Sequence, residues 1–123
     1  MSRQSFVDAE LTSVVAAGIY DRVDFSRADL RLATLRASFK MCTFRGADLR
    51  GANLAGAWLA GCDLSGADLR DADLAGVRFT YVNTGADNGR TDLTGARFEG
   101  ADLTGASFER VIGYESTGDH VVG

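Results

Sequence analysis

Large apolar side chains recur at every fifth position through most of this chain. From Ala47 to Gly76 the sequence reads ADLRGANLAGAWLAGCDLSGADLRDADLAG, which is six five-residue words with Ala or Cys first and Leu third. A helical period of 3.6 would spread these leucines over every face, and each interior Gly would cost roughly 1 kcal/mol. A plain strand has a period of two, so neither simple element explains the pattern.

The pattern instead predicts a coil with flat sides. Each word forms a short extended stretch and then a corner, where Gly in fifth place permits the backbone angles of a sharp turn. The large third residue and the small first residue point inward, and the other three face water. Four words close a square turn of twenty residues. Successive turns stack at a strand spacing of roughly 4.8 Å and bury each other's leucines.

The large central residues recur every five residues, except that Phe39 follows Leu35 after only four. The five-residue period is lost between Thr80 and Thr91. Four vertical columns emerge if Thr84 and Asn88 fill the blurred stretch as centres. The first predicted column is Phe25, Phe44, Leu64, Thr84 and Leu103, and the second is Leu30, Leu49, Leu69, Asn88 and Phe108. The third is Leu35, Leu54, Leu74 and Leu93, and the fourth is Phe39, Leu59, Phe79 and Phe98. These columns predict the core of the molecule.

The blurred stretch, residues 80–91, reads TYVNTGADNGRT and has two interpretations. Thr84 and Asn88 enter the core as centres, or part of the stretch leaves the coil as a surface loop. In the second case Tyr81, Asn88 and Arg90 are its exposed groups. A local break in a regular pattern often marks function, although surface slips are also tolerated.

The words ADLRG, ANLAG, CDLSG, ADLRD, ADLAG and ADLTG resemble the A(D/N)LXX words of the pentapeptide-repeat family. They cover most of the chain. The resemblance implies an all-β fold, a right-handed quadrilateral β-helix of about five to six coils. We expect a single domain over 1–123, with a degenerate coil or N-terminal cap at 1–22, repeats at 23–110 and a C-terminal cap or tail at 111–123.

Composition limits the classes of function. The chain has 17 acidic and 13 basic residues, which argues against a general nucleic-acid binder. It has neither a long apolar run nor a signal-peptide pattern at residues 1–6, so we expect a cytoplasmic protein without membrane association. Heavy use of Ala, Gly, Arg and Asp beside a single Lys is typical of a GC-rich bacterial genome.

Two cysteines, Cys42 and Cys62, stand twenty residues apart at the inward first place of their words. A redox pair or a metal site is one interpretation. Since neither His nor further Cys lies near them in the sequence, a zinc site lacks ligands, and we expect two small core residues. No cofactor or metal is predicted.

Second-place aspartates form outward columns. The longest comprises Asp29, Asp48, Asp68 and Asp87, and the others are Asp24, Asp63 and Asp102 on one adjacent side and Asp73 and Asp92 on another. Such a column either imitates DNA phosphates or consists of aspartates that bond nearby backbone at the corners. Arg31, Arg50 and Arg70 stand two residues after the first three and favour the second interpretation.

Trp58 occupies an outward second place where neighbouring words carry Asp or Asn. Ser38 lies one turn before it and Arg78 one turn after it. An exposed aromatic residue is a candidate contact anchor. It is equally a residue that lies flat on alanines beneath a stacked arginine.

No residue pattern predicts an enzyme. Ser116, Asp119 and His120 are the residue types of a triad, but they stand in a short tail without a glycine elbow. The sequence therefore predicts a rigid, non-enzymatic scaffold that binds a protein partner. The candidate contact residues are Trp58, Arg78, Tyr81, Asn88 and Arg90.

The resemblance implies an alternative function. The best-known family members are DNA mimics that bind DNA gyrase and topoisomerase IV and give antibiotic resistance against fluoroquinolones or other gyrase poisons. Those members usually dimerise through a C-terminal hydrophobic helix. This chain has no evident helix of that kind, although a homodimer remains an expectation because stack ends would otherwise stay exposed.

Overall fold

The computed structural model describes residues 5–83 and 89–113 and the backbone of residues 121–122. Thr84, Asp87, Asn88 and the 116–120 segment lie outside the described residues. In chain order the strands are β1 Ile19–Asp21, β2 Ser38–Lys40, β3 Trp58–Ala60, β4 Arg78–Thr80, β5 Ala101–Asp102, β6 Ser107–Phe108 and β7 Val121–Val122.

Every coil of the chain contributes one short stretch to each of four sides. Three sides are held by single parallel bridges, to which the parallel pair β5-β7 is added on side 3, and we name these sides by the bridged residues. Side 1 contains Ser5, Asp24, Thr43, Asp63, Asp92 and Ile112, side 2 contains Glu10, Asp29, Asp48, Asp68 and Arg97, and side 3 contains Val15, Thr34, Asn53, Asp73 and Asp102. Side 4 is the parallel five-stranded sheet β1-β2-β3-β4-β6. The fold is a right-handed quadrilateral β-helix.

The core is a stack of the central residues of the words. Its largest fully buried side chains are Phe39, Phe44, Phe79, Leu30, Leu35, Leu49, Leu54, Leu59, Leu64, Leu69, Leu74 and Leu93. The prediction that Leu49 and Leu54 belong to the core is confirmed, since both are 0% exposed. Aromatic rings continue this stack through the first coil, where Phe6 lies 5.4 Å from Phe25 between ring centroids. Residues 5–21 therefore form a coil that pairs with residues 24–40.

Corners follow from two local features of the words. The second-place carboxylate accepts a hydrogen bond from the backbone two residues on, as when Ser65 N donates to Asp63 Oδ1 at 2.9 Å. This local bond fixes the bend, which is the usual role of Asp in a turn. The fifth residue then takes a positive φ, which is +60° at Leu32, where other words have Gly.

The predicted columns are wrong beyond Thr80. Asp92 bridges to Asp63, and Asp102 bridges to Asp73, so both aspartates lie on other sides than expected. In consequence, four central residues stack on other partners than the predicted columns assign to them: Leu93, Phe98, Leu103 and Phe108. Leu93 follows Leu64 instead of Leu74, and Phe98 follows Leu69 instead of Phe79. Leu103 follows Leu74, and Phe108 follows Phe79.

This shift also changes the columns that contain Leu49 and Leu54. Bridges from Asp48 to Asp68 and on to Arg97 show that the column of Leu49 and Leu69 continues with Phe98, where Asn88 and Phe108 were predicted. Bridges from Asn53 to Asp73 and on to Asp102 show that the column of Leu54 and Leu74 continues with Leu103, where Leu93 was predicted.

The physical reason is that the coil is interrupted between Thr80 and Thr91, an interval that we call the excursion and that the structure describes only at residues 81–83 and 89–90. Tyr81 and Arg90 pair antiparallel at the base of this excursion, while the coil resumes at Thr91.

Candidate interaction surface

Side 4 presents one row of outward residues in register across its strands. The row comprises Ile19, Ser38, Trp58, Arg78 and Ser107. Because side chains alternate along a strand, the next residues, such as Leu59, point into the core and are fully buried. Trp58 keeps 36% of its surface exposed at the centre of this row. The predicted placement of Ser38 and Arg78 on either side of it agrees with the register.

The corner before Trp58 is a smooth ledge of small residues. Ala55 and Ala75 are half-buried there, and the glycines that follow them are exposed. Arg36 reaches across this ledge, since its Nε donates to the carbonyl oxygen of Ala55 at 3.1 Å. Trp58 thus stands beside a flat surface that a partner can approach closely.

The antiparallel pair of Tyr81 and Arg90 forms the base of the excursion and lies at the edge of side 4 where β4 ends. Arg90 donates to the carbonyl oxygens of Arg110 and Val111 at 2.6 and 3.0 Å. The guanidinium of Arg110 lies 4.6 Å from the centre of the Tyr81 ring. Tyr81 and Arg90, expected as exposed loop groups, are therefore half-buried, because they tie the excursion to the last coil.

Thr91 is a structural residue that the sequence interpretation missed. Its side chain is fully buried at the inward first place of its word. Its hydroxyl accepts from Cys62 N at 3.1 Å and lies 2.7 Å from the Thr80 carbonyl oxygen and 3.0 Å from that of Leu59. The hydroxyl has a single proton, which the two carbonyls share. Most words have Ala or Cys in first place, so the Thr at position 91 is the sequence signal that could have predicted a buried hydrogen bond there.

Cys42 and Cys62 are free, buried thiols in the column that ends at Thr91. Cys42 Sγ lies 3.3 Å from the carbonyl oxygen of Tyr20, and Cys62 Sγ lies 3.3 Å from that of Phe39. Burial raises the pKa of the Cys62 thiol well above its usual value. Within residues 5–83 and 89–113, no group of three acidic, His or Cys side chains is placed to hold a metal ion.

The aspartates of side 2 are bound within the chain. Arg50 holds Asp48 through two hydrogen bonds of 2.8 and 2.7 Å. Arg31 and Arg70 hold Asp29 and Asp68 in the same way. These side-chain hydrogen bonds lower the pKa of all three carboxyls.

Contacts between coils extend these pairs into a ladder. Arg31 Nε lies 3.8 Å from Asp48 Oδ2, and Arg50 Nε lies 3.9 Å from Asp68 Oδ2. The side therefore alternates between positive and negative groups, whereas a DNA mimic needs an open run of negative charge.

Comparison with solved structures finds similarity to several pentapeptide repeat proteins. A pentapeptide repeat protein from the thylakoid lumen of Arabidopsis thaliana is 30% identical, and the match covers 88% of this chain and 63% of that chain with a TM-score of 0.49. QnrB1, a plasmid-mediated fluoroquinolone resistance protein, is 20% identical over 87% of this chain and 58% of that chain, with a TM-score of 0.45. The chain thus spans about three fifths of the length of these two proteins.

A third similar structure is a pentapeptide repeat protein from Nostoc PCC 7120, which is 28% identical over 98% of this chain and 84% of that chain, with a TM-score of 0.36. No curated protein matches the sequence significantly. The described part of the chain contains no helix of the length and apolar character needed to cross a membrane.

The sequence profile of the family described as Pentapeptide repeats matches eight copies, in residues 36–66, 47–83 and 84–112. The first two segments overlap, the third follows the second directly, and together they cover residues 36–112, more than half of the chain. The matched words are those whose central residues build the stacked core of the β-helix. The chain belongs to the pentapeptide-repeat family.

Proposed function

We propose that this protein is a rigid, non-enzymatic scaffold that binds a protein partner through side 4. The observation that carries the proposal is Trp58, an exposed aromatic side chain at the centre of a regular parallel sheet. Tryptophan is among the residues that most often dominate the free energy of protein association. Its position is fixed by strands paired on both sides, so little conformational entropy is lost on binding.

The neighbourhood of Trp58 supports the same proposal. The Ala and Gly ledge leaves its ring accessible from the corner, and Arg78 lies beside it on the next strand. Arginine is also enriched at the positions that contribute most of the binding free energy of interfaces. Tyr81 lies at the far edge of the same side and extends the surface, while its contact with Arg110 holds it in place.

The gyrase-directed DNA mimic is the alternative that the family resemblance raises. The arginine pairing of Asp29, Asp48 and Asp68 counts against it, because those carboxylates are already neutralised by contacts of 2.7 Å. A supercoiling assay with added protein at two salt concentrations tests it. We expect no inhibition of gyrase, whereas inhibition that fades as salt increases would favour the mimic.

Partner capture from the source organism tests the scaffold. The immobilised wild-type protein is compared with Trp58→Ala and with Leu32→Ala, which removes an exposed apolar side chain from a corner between sides 2 and 3. We expect one partner to be retained by the wild type and Leu32→Ala and lost with Trp58→Ala. Equal retention by all three proteins would exclude side 4 as the contact surface. Light scattering of the purified protein decides whether that partner is a second copy of the chain.

A further inference from the structure

The positive charges of the chain differ in whether they meet a carboxylate. Ion pairs with carboxylates are formed by Arg22, Arg27, Arg31, Arg50, Arg70 and Arg97. Within the described residues, Arg36, Lys40 and Arg78 form no ion pair, and all three lie on side 4 or at its corner. Arg45 stands apart from them at the corner between sides 1 and 2, and the arginines at the base of the excursion bind backbone carbonyls or the Tyr81 ring.

The three cations lie on the two strands beside Trp58 and on the corner before it. Arg78 lies directly beside it in register on β4. Lys40 is two residues along β2 from Ser38, the register partner of Trp58 on its other side. Arg36 is bonded to Ala55, which lies three residues before Trp58 on the same coil.

Two carboxylates, Asp21 and Glu109, lie on side 4 or at its edge, and both contact neighbouring groups. Asp21 pairs with Arg22 at 2.8 Å, and Glu109 accepts a hydrogen bond from the Thr80 hydroxyl at 3.1 Å. With Asp21 paired to Arg22, the other described charges on side 4 and at its corner are Arg36, Lys40 and Arg78 against Glu109, which keeps its charge because its partner is a neutral hydroxyl. The described part of side 4 therefore carries a net positive charge, although the chain as a whole carries a net charge of −4. A negatively charged partner would gain association rate and specificity from this local excess of positive charge.

We infer that the partner presents a short acidic peptide segment to side 4, where its carboxylates meet Arg36, Lys40 and Arg78 around the Trp58 ring. This inference rests on the proposed function and names the chemistry of the partner. A nucleic acid fits less well, because the two sides that flank side 4 are acidic. Asp63 and Asp92 stand on side 1, and Asp73 and Asp102 stand on side 3. A long polyanion would pass these aspartates, whereas a short segment stays on side 4.

Trp58 is the single tryptophan of the chain, so its fluorescence reports directly on this surface. A short synthetic Glu-rich peptide is titrated into the wild type, Arg78→Glu and Arg45→Glu, and a single-stranded oligonucleotide is titrated in parallel. The two variants change the net charge equally, but only Arg78 lies beside Trp58. Lys40→Glu is the second side 4 variant, and circular dichroism verifies that each variant is folded.

We expect a saturable change in Trp58 emission with the Glu-rich peptide, with an affinity that falls as salt increases. Arg78→Glu and Lys40→Glu should each weaken binding by about tenfold or more, while Arg45→Glu should change it by less than about twofold. No binding of the peptide, equal losses at positions 45 and 78, or tighter binding of the oligonucleotide would overturn the inference.

Partner capture with Arg78→Glu separates this inference from the proposed function. Capture that is lost with Trp58→Ala but survives both Arg78→Glu and high salt overturns the acidic segment alone. Capture that survives Trp58→Ala overturns the proposed function itself.

Discussion

The buried hydroxyl of Thr91 accepts a hydrogen bond from the backbone nitrogen of Cys62 at 3.1 Å, across 29 residues of chain. The same hydroxyl lies 2.7 Å from the carbonyl oxygen of Thr80, the last residue before the chain leaves the coil. One side chain thus joins the point of departure, the point of return and the neighbouring coil. It is a direct contact between the two parts of the coil that precede and follow the excursion.

Removal of this hydroxyl should destabilise the protein. Thr91→Val keeps the shape of the side chain but leaves the buried backbone N–H of Cys62 without its acceptor, whereas the Thr80 carbonyl keeps a hydrogen bond from Gly61 N at 3.2 Å. We expect a loss of about 1–3 kcal/mol in the free energy of unfolding, measured by denaturant titration. Thr34→Val on side 3 is the control, since Thr34 lies outward and is half-buried. Equal unfolding midpoints for the two variants would contradict this role of Thr91.

A pair of glycine substitutions tests the packing of the excursion against the coil. Gly61 and Gly66 have similar φ angles of +64° and +69°, so Ala at either site has a conformational cost of roughly 1–2 kcal/mol. A Cβ at Gly66 would meet nothing within 4 Å, whereas one at Gly61 would lie 3.0 Å from the Gly89 carbonyl oxygen and 3.3 Å from Val82. The flexible Met41 side chain would also have to move away from a Cβ at Gly61.

Gly61→Ala should therefore destabilise the protein by about 1 kcal/mol more than Gly66→Ala. Thermal and denaturant unfolding of the two variants measure the difference. If both variants lose the same free energy, the excursion does not pack on this corner.

Acid should weaken the side 2 ladder. The hydrogen bonds from Arg70 lower the pKa of Asp68 in the folded state. A lowered folded-state pKa gives stability that is present above the unfolded value, about 3.9, and is lost as the pH falls through the folded value. We expect the free energy of unfolding to decrease between about pH 5 and pH 2 and to decrease less in Asp68→Asn.

Asp73→Asn is the matched control for that measurement. Asp73 stands at the same place of its word and bonds the Ala75 nitrogen at 3.1 Å, and its column already contains Asn53. A pH profile of Asp68→Asn that overlays the wild-type profile would show that the ladder does not contribute to acid sensitivity.

The two thiols should be inert in the folded protein. Cys42 and Cys62 are both buried, so a reagent cannot reach either sulfur in the folded protein. Burial also raises the pKa of Cys62, whereas the hydrogen bond with Cys62 lowers the pKa of Cys42, so the inertness of Cys42 rests on its burial alone. We expect a disulfide reagent to label both thiols rapidly in denaturant and only through opening of the structure without it. In Cys42→Ala the remaining labelling comes from Cys62 alone, so the variant separates the rates of the two thiols. Fast labelling of the native protein would contradict the burial of the pair.

Much of this fold can be predicted from the sequence because one constraint repeats. A large residue at third place and a small one at first place of each five-residue word fit a stacked coil, but they fit neither the period of a helix nor that of a plain strand. The predicted columns agree with the register through Phe79, including the residue dropped before Phe39. The predicted register is wrong after Thr80, because the period assigns Thr84 and Asn88 to columns that Leu93 and Phe98 continue instead.

The polarity of those two residues was the available signal, since a buried Thr or Asn requires hydrogen bonds that an apolar column cannot supply. Side 4 was only partly predictable. The row of Ser38, Trp58 and Arg78 follows from the period, but the separation of paired from unpaired arginines does not. It depends on which carboxylates each guanidinium reaches in three dimensions, as when Arg36 crosses a corner to Ala55.

Site-specific photo-cross-linking tests the central claim, that side 4 is the contact surface, most directly. A photoreactive amino acid is placed at Ser38 or Ser107 on side 4, at Thr43 on side 1 and at Asn53 on side 3. Each protein is irradiated in cells of the source organism, with and without Trp58→Ala. Adducts to one partner from the two side 4 positions, lost with Trp58→Ala, are the predicted result. Adducts in equal yield from all sides, or from sides 1 and 3 alone, would contradict it.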